Sequence, residues 1–187
     1  GLQAELLAVR ADWEGLEAQA QRWLARRPGH GPALRWLARA RWERGYLTDA
    51  LDTLRAALHA GPRDVAGLAT LARLALLSLD FETAALALEE AETLEPGSPQ
   101  LLQPRAILSM YRGDMAAAER CARQALQHDG RDVASWKTLV QLCSGRLGAT
   151  ELAALGELAE SDALDARDRA TAAFAFGDCL DACGRDA

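Results

Sequence analysis

One spacing constrains this chain more than any other feature. Proline recurs every 34 residues, at Pro28, Pro62 and Pro96, and the next position of the series is Gly130, another helix terminator. Alanine keeps the same step at Ala50, Ala84 and Ala118, and again at Ala57, Ala91 and Ala125. A large apolar residue follows it at Leu34, Leu68, Leu102 and Trp136. Leu37, Leu71 and Leu139 form a further column, broken by Arg105, and small residues follow at Ala38, Ala72 and Ala106. Several independent columns on one period mean that the chain is an array of similar units, each able to bury its apolar face only against a neighbour.

The side chains say what each unit is made of. Valine occurs only at Val9, Val65, Val133 and Val140, and isoleucine only at Ile107. β-branched residues suit strands, so their scarcity beside abundant alanine and leucine predicts helix. Within one period, two stretches of about a dozen residues carry helical apolar spacing. Gly45 and Gly113 mark the turn between them, where glycine tolerates the left-handed conformation that ends a helix. Leu47, Phe81 and Met115 open the second helix. The alanine columns belong where two helices cross closely, and the proline stops the second helix. Pro104 falls inside a predicted first helix and should delay or kink it.

These columns resemble the tetratricopeptide repeat, whose pattern is a large residue, Leu-Gly, an aromatic, two alanines and a final proline. The usual Leu-Gly pair reads Leu37-Ala38 and Leu71-Ala72 here, and appears as Phe176-Gly177 near the end. The resemblance implies an all-α, right-handed solenoid of about eleven antiparallel helices in a single array. We expect a partial repeat over 1–30, with Trp13 in the aromatic column, and full repeats over 31–64, 65–98 and 99–132. A degenerate repeat is expected over 133–166, its second helix at about 149–160, followed by one more first helix over 167–183. A second helix should begin at Gly184-Arg185-Asp186-Ala187, so we expect a fragment of a longer protein.

No catalytic constellation emerges, and this stretch is read as non-enzymatic. Ser144-Gly145-Arg146-Leu147-Gly148 lacks the Lys-Ser/Thr ending of a phosphate loop. His30, His59 and His128 fall near repeat boundaries and are expected in exposed turns. Cys179 and Cys183 are four apart on one helical face, but two further metal ligands are missing nearby. We expect both as buried small hydrophobes, with no metal and no cofactor. Cys121, Cys143, Cys179 and Cys183 show no disulfide-framework spacing, which points to a reduced, cytoplasmic setting. The net charge of −6 argues against nucleic acid, and no apolar run reaches membrane-spanning length.

What remains is a surface. In such arrays the first helix of each pair lines a concave groove. Its outward columns read Arg35, Arg39, Trp42, Arg73, Gln100, Gln103, Lys137 and Gln141, a basic and polar set on an acidic chain. Arginine forks and an exposed tryptophan suit recognition of a peptide or protein segment, here an acidic one. Some tetratricopeptide domains clamp the terminal carboxylate of chaperones with lysines and asparagines in these columns. Arg39 and Thr70 occupy the two asparagine columns and the chain has no asparagine, which argues against that role.

A second resemblance covers 151–187. The helix around Leu152-Ala153-Ala154-Leu155, the acidic turn Leu164-Asp165-Ala166-Arg167-Asp168-Arg169 and the helix from Ala173 to Arg185 are similar to a junction in bacterial tetratricopeptide–sulfotransferase proteins. Ala173 replaces that family's usual histidine, and Asp178 its basic residue. The resemblance implies an alternative function, a substrate-presenting repeat region of a larger bacterial transferase, of sulfate or of a sugar. Self-association through an uncapped C-terminal helix is a third expectation.

Overall fold

The computed structural model describes residues 2–185, and no strand occurs among them. The described chain forms eleven α-helices: α1 Leu2–Val9, α2 Trp13–Arg26, α3 Gly31–Glu43, α4 Leu47–Ala60, α5 Val65–Leu77, α6 Phe81–Leu94, α7 Leu102–Tyr111, α8 Met115–His128, α9 Val133–Leu142, α10 Ala149–Ala159 and α11 Ala166–Arg185. Trp13, Leu47, Phe81 and Met115 each open a helix, 34 residues apart. The chain divides into two compact units, Gly1–Ser98 and Pro99–Ala187.

Unit 1 holds α1 to α6 as helical hairpins, each packed on the next. The alanine columns sit at the crossings: Ala50, Ala57, Ala84 and Ala91 are fully buried. Leu37, Ala38, Leu68, Leu71 and Ala72 are buried with them, while Leu34 is only half-buried. The turns are built alike. The amide of Asp12 donates to the Leu7 carbonyl at 2.9 Å, Tyr46 to Arg41 at 2.8 Å and Asp80 to Ala75 at 2.8 Å, a bond that closes each hairpin across the helix end. This bond needs a left-handed residue just before it, and the residues there are Ala11 (φ 54°), Gly45 (φ 85°) and Leu79 (φ 58°). Glycine holds that conformation without strain. Alanine and leucine hold it against the steric preference of their Cβ.

The next residue caps the following helix. Asp12 accepts from the amide of Gly15 at 2.9 Å, and Asp80 from that of Thr83 at 3.0 Å. A second capping column lies one hairpin edge away. His30 Nδ1 accepts from the amide of Ala33 at 3.2 Å, and Asp64 from that of Gly67 at 2.7 Å. These side chains satisfy amides that the first helical turn leaves without an intrahelical partner.

Unit 2 keeps the pattern in α7 and α8 and then departs from it. Asp114 bonds the Ser109 carbonyl at 3.0 Å and caps α8 on Ala117 at 2.9 Å, after left-handed Gly113. Ala118 is fully buried and Ala125 and Ala106 are buried, while Arg105 and Leu102 are half-buried. Pro104 delays its helix. The chain forms a 3-10 turn over Pro99–Leu101, and α7 opens at Leu102 with Pro104 in its first turn, where the missing amide proton is tolerated. Leu101 stands at the helix cap and supplies no side-chain bond. Ser98, at the position homologous to His30 and Asp64, is buried with its hydroxyl unpartnered among the described residues. The cap column resumes at Asp132, which accepts from the amides of Ala134 and Ser135.

Beyond Asp132 the hairpin is shortened. The turn after α9 carries two consecutive left-handed residues, Ser144 (φ 52°) and Gly145 (φ 77°). A side chain at Gly145 would meet the Asp178 carbonyl at 2.8 Å and the Ala182 Cβ at 2.9 Å, so glycine lets this turn press against α11. Trp136, Leu139, Leu155, Leu158, Ala172, Ala175 and Cys179 form one core here, and the Trp136 indole donates to the Gly130 carbonyl at 2.8 Å. α11 continues through Gly184 to Arg185, so no second helix begins at Gly184; Asp186 and Ala187, also expected in that second helix, lie outside the described residues.

Candidate functional site

The strongest site candidate is a cleft in unit 1, about 770 Å³ in volume. It brings together four of the eight groove residues read from the sequence: Arg35, Arg39 and Trp42 from α3, and Arg73 from α5. Arg35, Arg39 and Trp42 lie on one face because they are spaced four and three apart; Arg73 sits one repeat after Arg39. Leu54 and Leu74, both buried, belong to its walls, with Trp36 beside them.

Arg35 is already engaged. Its guanidinium grips Asp64 through two contacts of 3.0 Å and donates to the Pro62 carbonyl at 2.9 Å. Burial alone would raise the Asp64 carboxyl, but hydrogen bonds from Arg35 and the Gly67 amide, with the Arg35 charge, hold it below its ordinary value. Arg35 therefore ties α3 to the start of α5 and fixes the width of the cleft.

Arg39 and Arg73 both stand against aromatic rings. The Arg39 guanidinium lies 5.6 Å from the Trp13 ring centre and that of Arg73 5.6 Å from the Trp42 ring centre. Cations favour the electron-rich face of indole. Arg39 makes no hydrogen bond or ion pair with any described residue. Two nearby cations are engaged in structure: Arg41 donates to Thr53 at 2.7 Å and pairs with Glu17, which also pairs with Arg44.

The remaining groove residues lie in unit 2. Gln100, Lys137 and Gln141 are exposed. Gln103 is not an outward residue. The delayed start of α7 leaves it half-buried, with Oε1 enclosed and unpartnered among the described residues. Sequence reasoning missed Trp36 and the stacking partner Trp13. The alternation of tryptophan and arginine along 35–42 was the available signal.

His59 and His128 are exposed near repeat boundaries, as expected, while His30 departs from expectation. His30 is a half-buried helix cap, and His59 and His128 lie in the last turns of α4 and α8. The cysteine pair is split. Cys179 is buried, but Cys183 is exposed, because Ala182 rather than Cys183 turns toward the Gly145 loop. Burial pushes the thiols of Cys121, Cys143 and Cys179 up, which disfavours reactive thiolates. Among the described residues no group of three or more His, Cys, Asp or Glu side chains could hold a metal, and no helix is long and apolar enough to cross a membrane. On α11, Phe174 is 78% exposed and Leu180 is also exposed.

No family profile matches the chain, and no curated protein sequence matches it. Solved structures do. TTC0263, a thermophilic TPR protein of Thermus thermophilus, aligns with a TM-score of 0.72 at 23% identity, covering 92% of this chain and 95% of its own. Pseudomonas aeruginosa PilF aligns at 0.64 and 18% identity over 93% of this chain and 86% of its own. YrrB, described as a TPR protein with an unusual peptide-binding site, aligns at 0.60 and 15% identity over 90% of this chain and 87% of its own. At these identities the likeness speaks to the fold.

Proposed function

We propose that this chain, a tetratricopeptide-repeat fold, is a protein-interaction scaffold whose unit 1 cleft holds an extended acidic segment of a partner. Arg39 carries the proposal. Its guanidinium rests on an indole and has no carboxylate among the described residues, so a ligand carboxylate meets a partly ordered donor through two parallel hydrogen bonds. The Arg73 guanidinium faces the Trp42 ring one repeat later, and Trp36, Leu54 and Leu74 offer apolar surface to the ligand's side chains. Arg35 and Gln103 leave the contact set, the first held by Asp64 and the second enclosed. Gln100, Lys137 and Gln141 belong to unit 2 and are not part of this cleft. The peptide-binding site in the description of YrrB supports the reading by analogy of fold. Four free thiols fit a cytoplasmic setting. The test is a displayed random-peptide library selected on the protein. Enriched peptides should carry Asp or Glu beside a bulky apolar residue. The Arg39→Ala, Arg73→Ala double variant should lose about 1–3 kcal/mol of affinity for them, with steep salt dependence. Unchanged affinity would move the binding surface elsewhere.

A second reading, a repeat region that presents substrates to a fused bacterial transferase, rests on the junction-like segment 151–187. The coding sequence downstream of Ala187 tests it, and a phosphosulfate- or sugar-nucleotide-binding domain there would favour it. Self-association through the exposed Phe174 and Leu180 of α11 is tested by sedimentation of Phe174→Ser beside the parent chain.

A further inference from the structure

We infer that unit 1 carries a second binding site, separate from the peptide cleft, built for a phosphate monoester on an aromatic body. Its walls are Trp23, Arg26, Arg27, His30 and Pro32, enclosing about 400 Å³. Pro32 also lines the larger cleft, so the two adjoin.

Charge makes this site unlike its surroundings. The whole chain carries −6, yet residues 18–42 contain six arginines and a histidine with no aspartate or glutamate. Three of those arginines stand against other side chains: Arg35 is paired with Asp64, Arg41 with Glu17 and Thr53, and Arg39 lies over the Trp13 ring with its N–H groups open. Arg26 and Arg27 do not. Neither side chain makes a hydrogen bond, ion pair or ring contact with a described residue. Arg26 ends α2 and Arg27 is its cap, where a cation could serve the helix by bonding its last carbonyls. The bond made there is the backbone one, from the Arg27 amide to the Trp23 carbonyl at 2.9 Å. Both guanidinium groups stay available.

The other walls supply shape and direction. His30 Nδ1 accepts the Ala33 amide, which places the ring hydrogen on Nε2 and leaves that nitrogen a donor. Trp23 packs on the core formed by Ala4, Leu16 and Ala40, so its indole is a fixed, flat wall. Two guanidinium forks and one N–H donor suit a tetrahedral oxyanion of two negative charges, since a carboxylate would neutralise only one fork. The indole wall suits an aromatic ring bearing that group. Phosphotyrosine in a protein segment and a small aryl phosphate share this chemistry.

The experiment titrates phenyl phosphate into the full chain at about pH 7.5, above the second ionisation of a phosphate monoester. The indole N–H resonance of Trp23 is followed by NMR, assigned with Trp23→Phe. We expect a saturable shift at Trp23, and at least tenfold weaker binding in the Arg26→Gln, Arg27→Gln double variant, with its melting curve unchanged. Phenyl sulfate, a monoanion, should bind more weakly; equal or tighter binding would overturn the dianion assignment. A short phosphotyrosine peptide separates the sources: tighter binding than phenyl phosphate assigns a protein segment, weaker binding a small molecule, and either supports the site. If phenyl phosphate binding falls with Arg39→Gln, Arg73→Gln and not with the Arg26, Arg27 pair, the anion sits in the larger cleft. That result would overturn this site and leave the scaffold reading standing. Absence of any saturable shift at Trp23 would also overturn it, whatever the peptide library shows.

Discussion

Units 1 and 2 grow from the same 34-residue pattern and carry the same formal charge. Unit 1 has 11 basic and 14 acidic residues and unit 2 has 10 and 13, so each nets −3. They use that material differently. In unit 1 both capping columns are complete at the hairpins built from α2 to α6, except at Tyr46, which supplies no side-chain bond. The described clefts lie there, lined by arginines against indoles. In unit 2 the first helix starts late behind Pro104, α9 has 10 residues where α3 and α5 have 13, and Trp136 is buried in the core rather than lining a cleft. The boundary between the units falls beside Ser98, where a capping side chain has lost its helix. Trp136 stands in the column of Leu68, which is buried in unit 1, so the repeat register sends this indole to the core, while Trp36 and Trp42 stand in columns that face the cleft.

The largest test of this contrast removes the unit 2 anchor. Trp136→Ala should cost about 3–5 kcal/mol, through lost burial and the stranded Gly130 carbonyl. Hydrogen exchange should show the lost protection concentrated in 99–185. Uniform loss along the chain would show that the two units unfold as one. Next, Ala84→Leu should overpack the α6 crossing in unit 1 and cost about 1–3 kcal/mol in urea denaturation. A loss near zero would show that the alanine column is not a packing constraint.

A smaller effect concerns acid. Hydrogen bonds from the Thr83 hydroxyl and amide, then from Arg55, hold the Asp80 carboxyl below its ordinary value of 3.8, and Asp64 is lowered as well. A carboxyl depressed in the native state stabilises it fully above the ordinary value and loses that contribution as pH falls through the native one. Asp80→Asn should therefore flatten the stability profile of unit 1 below about pH 4 while keeping the helix cap, since asparagine caps about as well as aspartate. A profile as steep as the parent's would assign the acid sensitivity elsewhere.

The smallest expected effect compares two turns. Leu79 is left-handed and 62% exposed, while its unit 2 counterpart is Gly113. Leu79→Gly relieves about 1 kcal/mol of strain but loosens the unfolded chain, for a net gain of about 0.5 kcal/mol. Gly113→Ala should lose about 1 kcal/mol. A loss in both would mean that the Leu79 side chain makes contacts worth more than its strain.

Much of the fold was legible in the residues. The alanine, leucine and proline columns located the helix pairs, and Pro104 announced a late start, because helical periodicity and proline geometry are local properties. The Asp12, Asp80 and Asp114 caps follow the same local logic, since each aspartate directly precedes the first residue of a helix. The left-handed state of Ala11 and Leu79 was not readable, because neither residue prefers it; hairpin closure imposes it.

The site divides along the same line. The sequence alone determined an all-helical repeat array and selected Arg35, Arg39, Trp42 and Arg73 as residues of one face, since column position follows from a 34-residue period. Only the tertiary structure decided that Arg35 is tied to Asp64, that Gln103 is enclosed, that Cys183 is outside while Cys179 is inside, and that Trp13 reaches Arg39 from another helix. Those outcomes depend on which side chains meet across helices, and distances between residues far apart in the chain are set by packing rather than by period.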